Sequence, residues 1–492
     1  MKNTIRFFVS FIIIMTVLLP FSVFAEDFPY ETMNSYTYDY WGEGVISPDC
    51  YTVEKISSKN DTTQFNGPSD LFIANNGMLY VVDTGNNRIV VLDANLKFLK
   101  EYKEFVLNSE IQTLNNPKGI YVDENGNMTI ADTNNKRVLS VNSNGEVLKV
   151  FTKPEKNFNF TGIDYLPTKV VVDANGCLYV NCNGVYQGAM MYEADGEFIG
   201  YYGANDVEIT LKLLTEVLWR KVMTKEQRLK STKFVPTEFN NMFIDEDGFI
   251  YTVTTVTTTD KNQIRKLNPK GLNILPVSTT VASKYQGVYG DLKPIYHNGV
   301  KISTRVCDIT VDENGFITAI DEQRGRIFQY DSEGNLIIAF GGLGSMINNF
   351  GLPSSIENYG DKLYVLDSNK NNIMVLSLTQ YGDILHKAIL EYNEGNYAES
   401  EEQWKAVIKQ NDNFNLAYTG MGKIYHEKKN YKEAMKYFKL AGDRINYANS
   451  FKYYRNIAMR KYLFPSIAVI VLLFYIAKIA RKIFLRVRGT KV

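Results

Sequence analysis

Between residues 66 and 378 the chain is a succession of short runs in which apolar and polar positions alternate, such as Leu71-Phe-Ile73 and Ile120-Tyr-Val-Asp123. A period of two is the mark of a strand whose faces meet different surroundings. Tight-turn pairs interrupt the runs at Asn76-Gly77, Asn125-Gly126, Asn314-Gly315 and Gly360-Asp361, and such pairs supply the positive φ angles of a hairpin. About six residues after each turn comes a signature. Its fullest form is Asp83-Thr-Gly-Asn-Asn-Arg-Ile-Val-Val-Leu-Asp93, with further versions at Asp132-Thr-Asn-Asn-Lys-Arg137, Asp321-Glu-Gln-Arg-Gly-Arg326 and Asp367-Ser-Asn-Lys-Asn-Asn372. Each version closes one strand and opens the next, and a Pro usually starts the unit.

Four-strand units recurring every 46 to 50 residues predict β-propeller blades. One blade has two apolar faces and cannot bury both, so blades stack around an axis until the ring closes and removes lone edges. The position ten residues before each signature Asp, or its replacement, is Ile73, Val122, Val172, Ile244, Val311 and, with one residue fewer, Asn358. Six blades follow. The third and fourth have decayed, with Cys182 and Thr254 in place of the Asp. Between them, residues 205 to 232 carry apolar residues nearer a 3.6 period, which predicts a helical insert covering one rim. Residues 26 to 65, rich in Tyr, read as strands outside the first blade, and the last blade is expected to borrow one of them to close the ring.

The Pro-x-x, Val-Asp-x-x-Gly and Tyr-Val-x-Asp-Thr-x-Asn-x-Arg-Ile layout resembles the NHL-repeat propellers over residues 66 to 378. That resemblance implies a fold and says little about chemistry.

After Leu378 a second repeat appears: Tyr397 returns as Tyr431, Ser400 as Ala434, Trp404 as Phe438 and Val407 as Ala441, each 34 residues on. The period and its small and aromatic positions resemble the tetratricopeptide repeat. About two repeats and a capping helix fill residues 382 to 461. Residues 462 to 480 are nearly all apolar, which predicts a transmembrane helix of the ~20 residues a bilayer core requires, with Pro465 in its first turn. The tail, residues 481 to 492, is basic and favours the cytoplasmic side. Residues 1 to 25, with Lys2 and Arg6 ahead of an apolar run and a Val23-Phe-Ala25 end, read as a signal peptide. The expected topology is a single-pass cell-membrane protein with its bulk extracytoplasmic. The order of segments resembles bacterial membrane proteins encoded beside carbohydrate transport systems, which implies a transporter-associated partner.

Composition removes several functions. With 54 Lys plus Arg against 54 Asp plus Glu, no basic surface rewards nucleic acid. Three His (His297, His386, His426) cannot build the His-rich zinc or copper site of some propeller enzymes, and neither a Gly-x-Ser-x-Gly elbow nor a phosphate loop occurs. No cofactor or metal is expected. Four Cys in an exported chain of this size do not form a disulfide framework. One constellation remains: the residues three before the aligned Ile73 position, Asp70, Gly119, Lys169, Asn241, Asp308 and Ser355, should ring one mouth of the channel, with Lys118 beside them. Such a ring is either ordinary polar lining or a site for a polar ligand. Three function classes compete, the least specific being a purely structural envelope protein that asks nothing of the ring. One is a membrane-tethered scaffold presenting propeller and helical-repeat surfaces to protein partners. The alternative is a Ca-dependent hydrolase of lactonase type, which needs Asp70 and Asp308 to converge on one ion.

Overall fold

The structure is a computed structural model, and it describes residues 35–57, 63–154, 164–203, 238–254, 261–297, 300–346 and 348–489. The expected signal peptide and the helical insert at 205 to 232 lie outside the described residues. Six antiparallel sheets stand around a central axis. Their inner strands begin at Asp70, Gly119, Pro167, Asn241, Val306 and Pro353, and each neighbours the next until the sixth returns to the first. Blades 1, 2 and 3 hold four strands each, and blade 4 holds three, Asn241–Ile244, Ile250–Val253 and Ile264–Leu267. The Gly of the first hairpin lies in the left-handed region in every blade, from Gly77 (φ 77°) to Gly360 (φ 60°), as the Asn-Gly pattern requires.

Both ends of the ring depend on the chain's N-terminal part. Residues Tyr51–Ile56 form the fourth strand of blade 6 against Asn372–Leu378, with Tyr51 opposite Leu378 and Ile56 opposite Met374. A second piece joins blade 5: Tyr36–Tyr38 pairs with Leu336–Phe340 and hairpins with Gly44–Ile46. The closure therefore rests on pairings between residues more than 300 positions apart.

Five helices follow: α1 (Gln380–Asn393), α2 (Tyr397–Gln410), α3 (Asn415–Glu427), α4 (Tyr431–Leu440) and α5 (Arg444–Ala458). Their apolar faces do not form a separate core. Tyr381, Leu385, Ala388, Trp404 and Met421 share one cluster with Ile320, Ile327, Phe340, Ile356 and Leu363 of blades 5 and 6. At the seam His386 Nε2 meets Gln329 Oε1 at 2.7 Å, Gln329 Nε2 donates to the Tyr51 hydroxyl at 2.8 Å, and the imidazole stacks on Phe316 at 4.2 Å. Burial pushes His386 down to about 4, so it packs as a neutral ring.

The terminal helix has no separate start at residue 462. A π-helical stretch, Met459–Leu463, joins α5 without a break to α6 (Phe464–Gly489). Pro465 has no N–H for the carbonyl four residues back, and a widened turn just before it accommodates that loss. The described helix from Arg444 to Arg486 is 43 residues long and apolar enough to cross a membrane. The four cysteines are free.

Candidate functional site: the channel ring

The signature Asp explains itself at the turn. In blade 1 the Asp83 carboxylate accepts from Asn66 N (2.8 Å), Asn86 Nδ2 (2.8 Å) and Arg88 Nε (2.7 Å). Asp132 does the same with Asn115 N, Asn135 Nδ2 and Arg137 Nε, all at 2.8 Å. The fifth position of the signature is left-handed, as Asn87, Lys136, Gly325 and Asn371. The signature is thus a latch tying the second turn to the segment that enters the inner strand. In blades 1 and 2 its carboxylate is fully engaged.

The channel ring differs. Side chains alternate along the inner strands, so equivalent positions in six blades converge. Asp70, Lys169, Asn241, Asp308 and Ser355 are all buried. Lys169 Nζ reaches from blade 3 to Asp70 Oδ1 of blade 1 at 2.7 Å, passing blade 2 where the ring residue is Gly119. A Cβ there would lie 2.5 Å from Thr168 O and 2.9 Å from Lys169 Cα, so only Gly allows this approach. Asp70 Oδ2 accepts from Ile120 N at 2.9 Å. Across the channel Asp308 Oδ1 accepts from Asn241 Nδ2 (2.6 Å) and Ile309 N (2.9 Å), while Oδ2 accepts from Ser355 Oγ (2.6 Å) and Ile356 N (2.8 Å). Ser355 Oγ also lies 3.3 Å from Asp70 Oδ1, linking the two halves.

Lys118 stands apart. It precedes the ring position by one residue, and in a strand that turns the side chain to the other face. Half-buried, its Nζ forms no ion pair or hydrogen bond among the described residues, and burial alone lowers its pKa.

A second layer lies two residues further along each strand, where Glu357 faces Thr310 Oγ1 at 3.2 Å and Phe72 meets Tyr121 edge-on at 5.3 Å. The electrostatics set the acids apart. Burial pushes Asp308 up to about 6, against the pull of Lys169 and the bonds from Ser355 and Ile356. Burial holds Glu357 well above the carboxylate range despite Lys169. Burial opposes charge on Lys169 too, yet Asp70, Asp308 and Glu357 outweigh it and raise its pKa. Four donors on Asp308 therefore favour its charged form against burial, beside a neutral Glu357. Period-two spacing from Ser355 would have found Glu357 in the sequence.

The donor set does not fit a resident Ca²⁺. Hard cations take six to eight oxygens, whereas every oxygen of Asp70 and Asp308 already accepts a hydrogen bond from N–H, ammonium or hydroxyl. Among the described residues no group of three or more His, Cys, Asp or Glu side chains is placed to hold a metal.

No protein-family model matches the chain, and no curated protein matches it. Among solved structures it is similar to virginiamycin B lyase from Staphylococcus aureus, at 11% identity over 67% of this chain and 100% of that one, with a TM-score of 0.41. A provisionally assigned gluconolactonase matches at 11% identity, 67% and 92% coverage and a TM-score of 0.38. A protein of unknown function from Bacteroides thetaiotaomicron matches at 10% identity, 69% and 80% coverage and a TM-score of 0.41. None of these likenesses bears on what the chain does.

Proposed function

We propose that this protein is a membrane-tethered extracytoplasmic scaffold, holding propeller and helical-repeat surfaces at a fixed place above the bilayer for protein partners. One observation carries the reading: the helices share a hydrophobic core with blades 5 and 6 and then run straight into the apolar helix. Repeat architectures bind through extended surfaces rather than a single catalytic cleft, and a rigid connection fixes those surfaces relative to the anchor. The saturated carboxylates of the channel ring support the same reading, because a lactonase would have to evict Lys169, Asn241, the Ser355 hydroxyl and three backbone N–H groups before Asp70 and Asp308 could share an ion. An NHL-type propeller, tetratricopeptide-like helices, a cleaved signal peptide, a cytoplasmic tail and a partner in a carbohydrate transport system complete the proposal.

The test is recovery of the full-length chain from native membranes after mild crosslinking, with activity assays on the purified protein. A defined membrane protein should co-purify equally with wild type and with Asp308→Asn. Recovery without partners, together with ester or lactone hydrolysis that Asp308→Asn abolishes, would establish the hydrolase instead. Protease added to intact cells stripped of wall should digest the propeller; its protection would reverse the topology.

A further inference from the structure

Helices α1 to α4 form two antiparallel pairs, and α5 stacks on the second as the first member of a third. Its inner side is marked by contacts, although Ser450 is its one buried residue: Ser450 Oγ meets His426 Nδ1 at 2.7 Å, and the half-exposed Tyr453 stacks on Tyr431 at 5.3 Å. In the preceding pair, α4 covers a face of α3. The ring of Phe438 lies where a Cβ on Gly422 would stand, at 2.5 Å, and Tyr437 stacks on Tyr425 at 5.4 Å. Counted from the N-caps Phe414 and Asp443, the α3 positions Tyr418, Gly422 and Tyr425 correspond to Tyr447, Phe451 and Tyr454 of α5. These three form one stripe at i, i+4 and i+7. They are 37%, 44% and 40% exposed. Among the described residues no helix covers them, because the residues that would fold back as a sixth helix run on as the apolar helix α6.

We infer that this bare face of α5 receives a helix from a partner membrane protein, one whose apolar side is flanked by acidic residues. Charge selects the occupant. One edge of the stripe abuts α3 and α4, while on the other edge helical spacing places Arg444 and Arg455, with Lys452 beyond. No Asp or Glu follows Asp443 in the whole chain. A second copy would bring an equally basic helix and no acidic group to pair with it. A partner helix with acids along its outer edge gains both apolar burial and ion pairing. Because α5 continues into α6, the partner is held within reach of the same bilayer, which raises its effective concentration.

The inference rests on the scaffold reading, and the test separates the two. A photoreactive phenylalanine analogue is placed at Phe451 or Tyr454, and at Phe98 or Ile111 on the outer surface of blade 1 and the hairpin beside it, in the full-length chain in native membranes. The expected result is an adduct at Phe451 and Tyr454 that maps to an acid-flanked helix of one membrane protein, and that falls several-fold with Arg455→Glu at unchanged melting temperature. Adducts at those positions only with a second copy, only with lipid, or with nothing, while Phe98 or Ile111 captures a protein, overturn the inference and leave the scaffold standing. An adduct that Arg455→Glu leaves undiminished also overturns it. No protein adduct from any position ends both.

Discussion

Blades 1 and 5 carry the same signature, yet only blade 1 uses it on itself. In blade 1 Asp83 is paired with Arg88, whose Nη1 continues to Glu101 at 2.6 Å. In blade 5 the corresponding Asp321 accepts Arg305 N and Gln323 N, but its Oδ2 and the Nε of Arg326 find no partner among the described residues. Arg326 instead donates to Gly341 O and lies over the Tyr36 ring, while Arg324 pairs with buried Asp291, which also takes the hydroxyls of Tyr36 and Tyr38. Blade 5 keeps the backbone part of its latch and has given up the Asp–Arg pair; its arginines hold the N-terminal hairpin and the loop through Asp291. A repeated motif thus marks a shared backbone need, the left-handed turn, while its charges are free to be redeployed.

The largest expected effect breaks the blade 5 arrangement. Asp291→Ala takes the carboxylate away from Arg324 and from the hydroxyls of Tyr36 and Tyr38, and should cost about 4 kcal/mol in urea unfolding, within the range for losing one member of a buried pair. A loss under about 1 kcal/mol would mean the Tyr36 hairpin is held by apolar packing alone. Asp132→Asn in blade 2 should cost roughly 2 to 3 kcal/mol, since it removes the charge facing Arg137 together with a strong acceptor. This exceeds the ~1 kcal/mol of a simple lost cap. The turn itself gives a smaller contrast. Asn87→Gly should be neutral within about 0.5 kcal/mol, whereas Gly325→Asn should cost at least about 1 kcal/mol, because a Cβ there meets Leu343 Cδ2 at 2.8 Å.

Asp321→Asn should have the smallest effect at about pH 3.5 and a distinctive pH dependence. Burial raises this carboxyl to about 7 from an ordinary value of 3.8, so the fold keeps a proton that the unfolded chain releases. Stability from this group is present at low pH and declines as pH rises between about 4 and 7. The Asn variant should therefore match wild type at about pH 3.5, below both values, and melt higher at pH 8. A variant that is equally destabilised at both values would mean Asp321 is paired as Asp83 is.

Much of this was legible in the sequence. Alternation and turn pairs give six blades because both are local properties of a strand and its hairpin. The ring candidates Asp70, Lys169, Asn241, Asp308 and Ser355 converge beside Gly119, since one register counted from the signature fixes which residues face the channel. Lys118 was placed with them by proximity alone, and the two-residue period turns it aside. The Tyr36–Tyr38 strand on blade 5 and the Arg324–Asp291 pair were not legible, because they join residues between 33 and about 300 positions apart without any local pattern. Nor could the repeat show that helices and blades share a core, as the His386–Gln329 contact spans 57 positions.

The most direct test of the account is native-state hydrogen exchange on the full-length protein. If propeller and helices are one rigid unit sealed by Tyr51–Ile56, the amides of α1, of Asn372–Leu378 and of Tyr51–Ile56 should open together, with a single free energy and denaturant slope. Exchange of α1 to α3 through a separate opening, more than about 2 kcal/mol below that of blade 6, would contradict it and return the helices to an independent domain.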